Sequence, residues 1–339
     1  LDYSGSCPAL LLEPQRTNLV VQSEDVSNWW LLSNVTATNN QGISPEGVNN
    51  AAKITINSTG GAVIYRTGVN VGDGVLSFFA KPETLSNGRI RVSVDGVGAA
   101  YWNIDGTLNS VTGGTAENAE NYGNGWYRYS YNVPSGNVIN YGVQGGVIGE
   151  HLLIYGMQAE AGSYPTSYIP TYGSSVTRLK DTASLVGTDL LDQDNQTLFI
   201  EYTKGGIDGS ANTIFSTSDG TSSANRMQIV DNNDDVYLYS NAGGTNILNN
   251  TNALLLANLE TGDTIKVAVV MTATSIKAFA NGVAKVNFTD SFSWSVTMDD
   301  LYMGARGGSS EPPKGQGVKQ AVLFPTALTD SECIKLTTI

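Results

Sequence analysis

Tyr127-Arg128-Tyr129-Ser130-Tyr131-Asn132-Val133 alternates bulky and polar residues and stops at Pro134-Ser135-Gly136. Successive side chains of an extended strand point to opposite faces, so this spacing predicts a strand with one buried face. Upstream, Arg89-Ile90-Arg91-Val92-Ser93-Val94 alternates in the same way and ends at the turn pair Asp95-Gly96. Val75-Leu76-Ser77-Phe78-Phe79-Ala80 reads as a buried strand, and His151 to Met157 as another. Gly, Asn, Asp and Ser separate these runs, and no segment of helical period interrupts them. An antiparallel β-sandwich follows.

The pattern breaks near residues 170–190. Tyr164-Pro165-Thr166-Ser167-Tyr168-Ile169-Pro170-Thr171 is extended and punctuated by proline, which predicts a strap rather than a strand. Strand-like runs then resume at Thr197–Tyr202, Asn212–Ser216, Arg226–Val230 and Val236–Ser240, the last two flanking a turn at Asp231–Asp235. Thr264–Met271 and Ser275–Ala280 form a predicted hairpin before the turn Asn281-Gly282, and Gln320–Phe324 is the last strand. Only Ala327–Leu336 reads as helical, with Thr329 or Asp330 as cap and Glu332 in the first turn. The expected architecture is all-β: two tandem antiparallel sandwiches of jelly-roll type, residues 1–178 and 179–339, and one short C-terminal helix. Nothing repeats at a fixed short period, which excludes solenoids and propellers.

Composition agrees. Glycine supplies 38 of 339 residues, and only 14% are charged, against a usual figure of about 25%. Neutral polar residues and glycine suit many short strands and turns. A net charge of −13 with 18 Lys+Arg leaves no basic face, which excludes nucleic acid and anionic membranes as partners. Cys7 and Cys333 are too few for a four-ligand zinc site, and nothing in the sequence brings them together, so they read as two inert thiols. His151 is the only histidine and opens a strand, a structural place. No apolar run approaches the 18 or more residues of a membrane span. The chain opens on Leu-Asp-Tyr-Ser without a signal-peptide pattern, so it reads as a piece of something longer.

Leu10-Leu11-Leu12-Glu13-Pro14-Gln15-Arg16-Thr17-Asn18-Leu19 opens an ordered series. Gly123-Asn124-Gly125-Trp126-Tyr127-Arg128, Tyr155-Gly156-Met157-Gln158-Ala159-Glu160, Pro165 to Thr171 and Val176-Thr177-Arg178 follow. Over about 170 residues this series resembles a carbohydrate-binding-like sandwich module of tailed-bacteriophage virion proteins. Ile276 to Gly282, Leu301-Tyr302-Met303-Gly304 and Ala327 to Glu332 make the second half similar to a concanavalin A-like lectin/glucanase (laminin-G-like) domain. The resemblance implies a non-enzymatic virion surface protein, a head or tail fibre or spike segment. Such a protein binds host cell-surface polysaccharide for adsorption, is a homotrimer and contacts other virion proteins. It also marks Arg16 and Arg178 as module residues, in structural ion pairs rather than ligand contacts. Two alternatives stay open: a structural spacer or decoration that binds other virion proteins, and a polysaccharide depolymerase or its accessory module.

The residues argue against an enzyme. Concanavalin A-like glycosidases carry Glu-x-Asp-x-Glu on one strand, and no such triplet occurs. The pairs Asp234-Asp235 and Asp299-Asp300 read as solvated turns. Gln228-Ile229-Val230 has Val where jelly-roll lyases have His, and no nucleophile elbow accompanies His151. The glycine-rich stretches Gly142–Gly146 and Gly304–Gly308 precede no helix, so they are no phosphate cradle. Asp231, Asp234 and Asp235 could offer oxygens to Ca²⁺, but the loop is short and a plain turn is the better reading. No metal or cofactor is expected.

Sugar rings stack on aromatic faces and hydrogen-bond to Asn, Asp and Gln. The aromatics outside the alternating core pattern are the candidates. Trp29-Trp30 and Tyr101-Trp102 are adjacent pairs, so extended backbone would turn one ring of each outward. Tyr237 and Tyr239 share a strand face beside an Asn/Asp-rich turn, and Trp294 lies in a loop-like stretch. The expected ligand-binding residues are Trp29, Trp30, Trp102, Tyr237, Tyr239 and Trp294, whereas Trp126, opening an alternating strand, belongs to the core.

Overall fold

The computed structural model describes residues 9–187, 191–206, 211–220, 224–305 and 316–339. Strand pairing among them is antiparallel throughout. They form two β-sandwiches, each made of a six-stranded and a seven-stranded sheet. The all-β, jelly-roll reading of the sequence holds.

In the first sandwich, Arg16–Arg178, the six-stranded sheet runs Leu108–Thr112, Gly98–Trp102, Arg89–Val94, Gly136–Gln144, Gly61–Val71, Leu31–Ser33. The other runs Thr115–Ala116, Trp126–Val133, Gly74–Lys81, His151–Ala161, Ala51–Ile56, Val35–Gly42, with Glu120–Gly123 beside Trp126–Val133. The alternation at 127–133 does its expected work: Tyr129, Tyr131 and Val133 are buried in the core between the sheets. Aromatic rings pack on one another within that otherwise aliphatic core, with Phe78 and Tyr141 at 5.0 Å and Trp102 and Tyr129 at 5.3 Å between centroids. Trp126 is buried as expected, but on the opposite side of its sheet, in a small cluster with Phe79, Leu153 and Tyr155.

The strap after His151–Ala161 covers that outer cluster. It has no ladder of its own, so its backbone groups must find side chains. Asn18, Gln158, Glu160 and Arg128 supply them, all buried. Asn18 Nδ2 donates to the carbonyls of Met157 (3.2 Å) and Ile169 (2.9 Å), and its Oδ1 accepts from the N–H groups of Val20 and Ala159. Gln158 Oε1 accepts from Ile169 N–H at 2.7 Å. Glu160 accepts from the N–H and hydroxyl of Thr166 and from Gln158 Nε2. Arg128 Nη2 donates to Thr166 O at 2.6 Å and to Ser77 Oγ at 3.1 Å. Asn18, Arg128, Gln158 and Glu160, all from the ordered series read from the sequence, therefore form with Thr166 and Ile169 one connected polar network that fastens the strap.

The chain passes between compact units twice, after Gln15 as well as after Arg178. Arg16–Arg178 forms one, and the chain through Gln15 joins Leu179–Ile339 in the other. Leu10–Leu12 pairs with Gln316–Phe324, and Leu12 is buried in the core of the C-terminal sandwich. Glu13 N–H donates to Asp181 Oδ2 at 3.0 Å, and Asp181 N–H to Glu13 O at 2.9 Å. The first sandwich is thus inserted, in sequence, behind the opening strand of the second. Its own first and last strands, Arg16–Asn18 and Val176–Arg178, pair with each other.

In the C-terminal sandwich the six-stranded sheet runs Leu10–Leu12, Gln316–Phe324, Asn195–Thr203, Thr264–Thr272, Ser275–Ala280, Val283–Phe288. The hairpin Thr264–Thr272/Ser275–Ala280 is present, and Asn281-Gly282 makes the next turn with φ of 45° and 79°, a conformation these two residue types tolerate. The seven-stranded sheet runs Ala183–Leu185, Asp300–Met303, Ala211–Ser218, Arg226–Asn232, Asp235–Ala242, Thr245–Leu248, with Leu254–Leu256 beside Asp235–Ala242. The helix is Asp330–Thr337, closed by a capping box of Thr329 and Glu332. It starts later than the expected Ala327 because the N–H groups of Ala327 and Leu328 bond to Asn195 Oδ1 and Thr197 Oγ1 instead. Cys333 is a buried free thiol, and Cys7 lies outside the described residues. His151 begins its strand as expected and is held by Thr84.

Candidate functional site

Arg226–Asn232 and Asp235–Ala242 build the site. Met227, Ile229, Val236 and Leu238 lie in the core, so Arg226, Gln228, Tyr237, Tyr239 and Asn241 occupy the other face. The register continues that face into rows. Tyr239, Gln228, Ser216 and Tyr302 lie opposite one another across four strands. Asn241, Arg226, Ser218 and Asp300 form the next row. Val230 and Tyr237 begin a third.

The floor of this face is polar and largely ordered by its own contacts. Gln228 Nε2 donates to Thr213 Oγ1 at 3.1 Å, Ser216 Oγ to Ala305 O at 3.1 Å and Tyr302 Oη to Asp300 Oδ2 at 2.8 Å. The guanidinium of Arg226 lies 4.7 Å from the centre of the Tyr239 ring. Its Nε is buried without a hydrogen-bond partner. Burial pushes the Tyr239 hydroxyl upward, but hydrogen bonding and charge from Arg226 outweigh it and leave the phenol below its ordinary range. Tyr302 goes the other way: burial, then the hydrogen bond and charge of Asp300, raise it to about 12. Tyr237, Tyr239 and Tyr302 stay half-buried, above buried Gln228, Ser216 and Ser218. The face therefore offers aromatic surface, hydroxyls, amides and one guanidinium together.

The six expected aromatics divide. Tyr237 and Tyr239 stand side by side on the outer face as predicted. Trp30 and Trp102 do not turn outward: both are buried in the core of the first sandwich. Trp30 Nε1 donates to Gln22 O and Trp102 Nε1 to Glu117 O. The extended reading of Trp29-Trp30 fails because Val26–Trp29 is a short helix. Its first N–H groups are met by Asn39 Oδ1, 3.0 Å from both Val26 N and Ser27 N, a partner no local pattern reveals. Trp29 is half-buried, and the Arg66 guanidinium covers a ring face at 4.2 Å. Trp294 is half-buried, edge-on to Phe292 at 5.4 Å, and packs on the C-terminal core.

Two acidic readings also change. Asp231 is not in a turn. It is a buried strand residue 2.5 Å from the buried ammonium of Lys204, which already supplies its countercharge. Asp300 opens a strand, is buried, and accepts from Gly187 N–H at 2.7 Å and from Tyr302. Of the stretch Gly304–Gly308, residues 306–308 lie outside the described residues. Arg226, Gln228, Ser216, Ser218 and Tyr302 were missed as site residues. For Arg226 and Gln228 the signal was the polar half of the alternation that placed Met227 and Ile229 in the core; Ser216, Ser218 and Tyr302 join them only through register.

The sequence matches no protein-family profile and no curated protein. Solved structures that it resembles include the Ruminococcus gnavus IT-sialidase CBM40 bound to α2,3 sialyllactose, at 18% identity and TM-score 0.37, covering 43% of this chain and 83% of that one. NanB sialidase from Streptococcus pneumoniae matches at 16% identity and TM-score 0.38, over 46% of this chain and 27% of that one. Domain 4 of AbnA, a GH43 extracellular arabinanase from Geobacillus stearothermophilus, in complex with arabinotriose, matches at 20% and 0.36, over 49% and 73%. Each of these ligands belongs to the protein named.

Proposed function

We propose that this chain is a non-catalytic glycan-binding segment of a virion fibre or spike, and that the Tyr237–Tyr239 face meets host cell-surface polysaccharide. The observation that carries the binding reading is the outer face of the seven-stranded sheet. There Tyr239, Gln228 and Tyr302 form one row and Asn241 and Arg226 the next. Pyranose rings present apolar C–H faces and rims of hydroxyls, so aromatic faces beside amides and a guanidinium match both parts. The virion setting rests on the resemblance of the ordered sequence series. A glycan array with the full chain, followed by competition of the free protein against adsorption to cells that carry the bound glycan, tests the proposal. Binding that is lost in the Tyr237→Ala/Tyr239→Ala double variant is expected. Absence of any glycan binding overturns it.

A further inference from the structure

The first sandwich carries a second polar face, on the outer side of its six-stranded sheet. Ile90, Val92 and Val94 of Arg89–Val94 are in the core, so Arg89 and Arg91 lie on the outer side. Gln144 and Gly61 continue the row of Arg89, and Tyr101 and Gly142 flank Arg91 in the adjacent row. Asn87, Gly88, Arg89, Asn103, Gln144 and Gly145 line a cleft of about 370 Å³ here. That size falls within the range of small-ligand sites.

Three features mark this cleft as built for an anion. First, among the described residues no carboxylate lies within ion-pair distance of Arg89 or Arg91, although the chain carries a net charge of −13. Arg66 and Arg128 also lack a carboxylate partner, but they donate to the carbonyls of Trp29 and Thr166, whereas the side chains of Arg89 and Arg91 make no hydrogen bond within the described residues. Second, the side chains of Asn87, Arg89 and Gln144 make no hydrogen bond within the described residues, and the buried Nε of Arg91 has no partner. Third, Gly61, in the row of Arg89 and Gln144, leaves room beside them: a Cβ there would come within 3.2 Å of Arg91 Nη1 and 3.5 Å of Gln144 Oε1.

We infer that this cleft binds the carboxylate of an acidic sugar, with Arg89 and Arg91 as the charged donors and Asn87 and Gln144 on neighbouring hydroxyls. A guanidinium presents a planar fork of donors that matches a carboxylate, and charge-assisted hydrogen bonds are the strong ones. Tyr101, whose ring centre is 5.9 Å from the Arg91 guanidinium, holds that side chain over the sheet. The site stands in a different sandwich from the Tyr237–Tyr239 face and does not depend on it.

Affinity electrophoresis of the full chain tests this. The gels contain polygalacturonate, alginate, hyaluronan or polysialic acid, with methyl-esterified polygalacturonate as the uncharged counterpart. At least one carboxylate polymer should retard the protein, and raised salt should weaken the effect. For polygalacturonate, methyl esterification should abolish any retardation. Arg89→Gln should weaken retardation at least about tenfold and Gln144→Ala by less, whereas Lys285→Gln, an exposed lysine on the other sandwich, should leave it unchanged. Circular dichroism and unfolding midpoints establish that each variant is folded. The inference is overturned if none of the four polymers retards the chain, if the methyl ester retards it equally, or if folded Arg89→Gln binds like the parent.

Discussion

Removing the side chain of Asn18 should unfasten the strap. Asn18 is fully buried and makes four hydrogen bonds, two donated by Nδ2 to Met157 O and Ile169 O and two accepted by Oδ1 from Val20 and Ala159 N–H. Asn18→Ala leaves two carbonyls and two amides buried without those partners. At about 1 kcal/mol for each lost bond, and more for a group left unsatisfied, the expected cost is roughly 3–5 kcal/mol. For a unit of this size, that lowers the unfolding midpoint by about 10 °C. Four of the five tryptophans, Trp29, Trp30, Trp102 and Trp126, belong to this sandwich, so tryptophan fluorescence during thermal unfolding reports on it. Asn18→Asp separates hydrogen bonding from packing. It fills the same volume but turns a second oxygen toward two carbonyls, and should cost at least as much as Ala. Exposed Asn28→Ala, which loses one contact to Asp25, should stay within about 0.5 kcal/mol of the parent. A cost below about 1 kcal/mol for Asn18→Ala, or parent-like stability for Asn18→Asp, would refute the network as the fastening of the strap.

Leu12→Ala should destabilise the C-terminal sandwich by about 2–4 kcal/mol, because Leu12 is buried in that core; hydrogen exchange of Gln316–Phe324, its strand partner, should rise while exchange in 74–81 does not. Asp231→Ala should cost about 3–5 kcal/mol by leaving the Lys204 ammonium buried and unpaired, measured by urea unfolding. The phenols of Tyr129, Tyr141, Tyr155 and Tyr168 are held above their ordinary value, chiefly by burial. Below pH 10 they are neutral in both states and their contribution is intact. Above pH 10 they ionise first in the unfolded chain, so stability falls as pH climbs toward their folded values. Alkaline unfolding of the first sandwich, followed by circular dichroism, should therefore coincide with a late, cooperative step in tyrosinate absorbance above the gradual rise of the exposed phenols; full ionisation of all sixteen tyrosines before the fold is lost would contradict it.

The strands were legible because their two faces differ. Tyr129 and Tyr131 against Arg128, and Met227 and Ile229 against Gln228, state both the strand and its buried side. The pairing of a three-residue strand was not legible. Leu10-Leu11-Leu12 has no face pattern long enough to name its sheet, and its partner lies some 300 residues away in sequence. Adjacent tryptophans misled for a related reason. The alternation rule holds only in extended chain, and the helix at Val26–Trp29 draws its start from Asn39, on a neighbouring strand. Polar residues followed the same division. Tyr237 and Tyr239 were visible from spacing, but Ser216, Ser218 and Tyr302 join them only through register, which the sequence does not state. Acidic residues read as turns, Asp231 and Asp300, turned out to be buried because their partners, Lys204, Gly187 and Tyr302, are set by the fold.

Glycan binding at the outer face of the seven-stranded sheet is the central claim, and one measurement bears on it most directly. The full chain and its Tyr237→Ala/Tyr239→Ala variant are compared on the same glycan array, with the best ligand then titrated by calorimetry. The account predicts a saturable ligand for the parent and a loss of roughly tenfold or more in the variant, with the fold of both intact. A parent that binds no glycan, or a variant that binds the same glycan equally well, would contradict it.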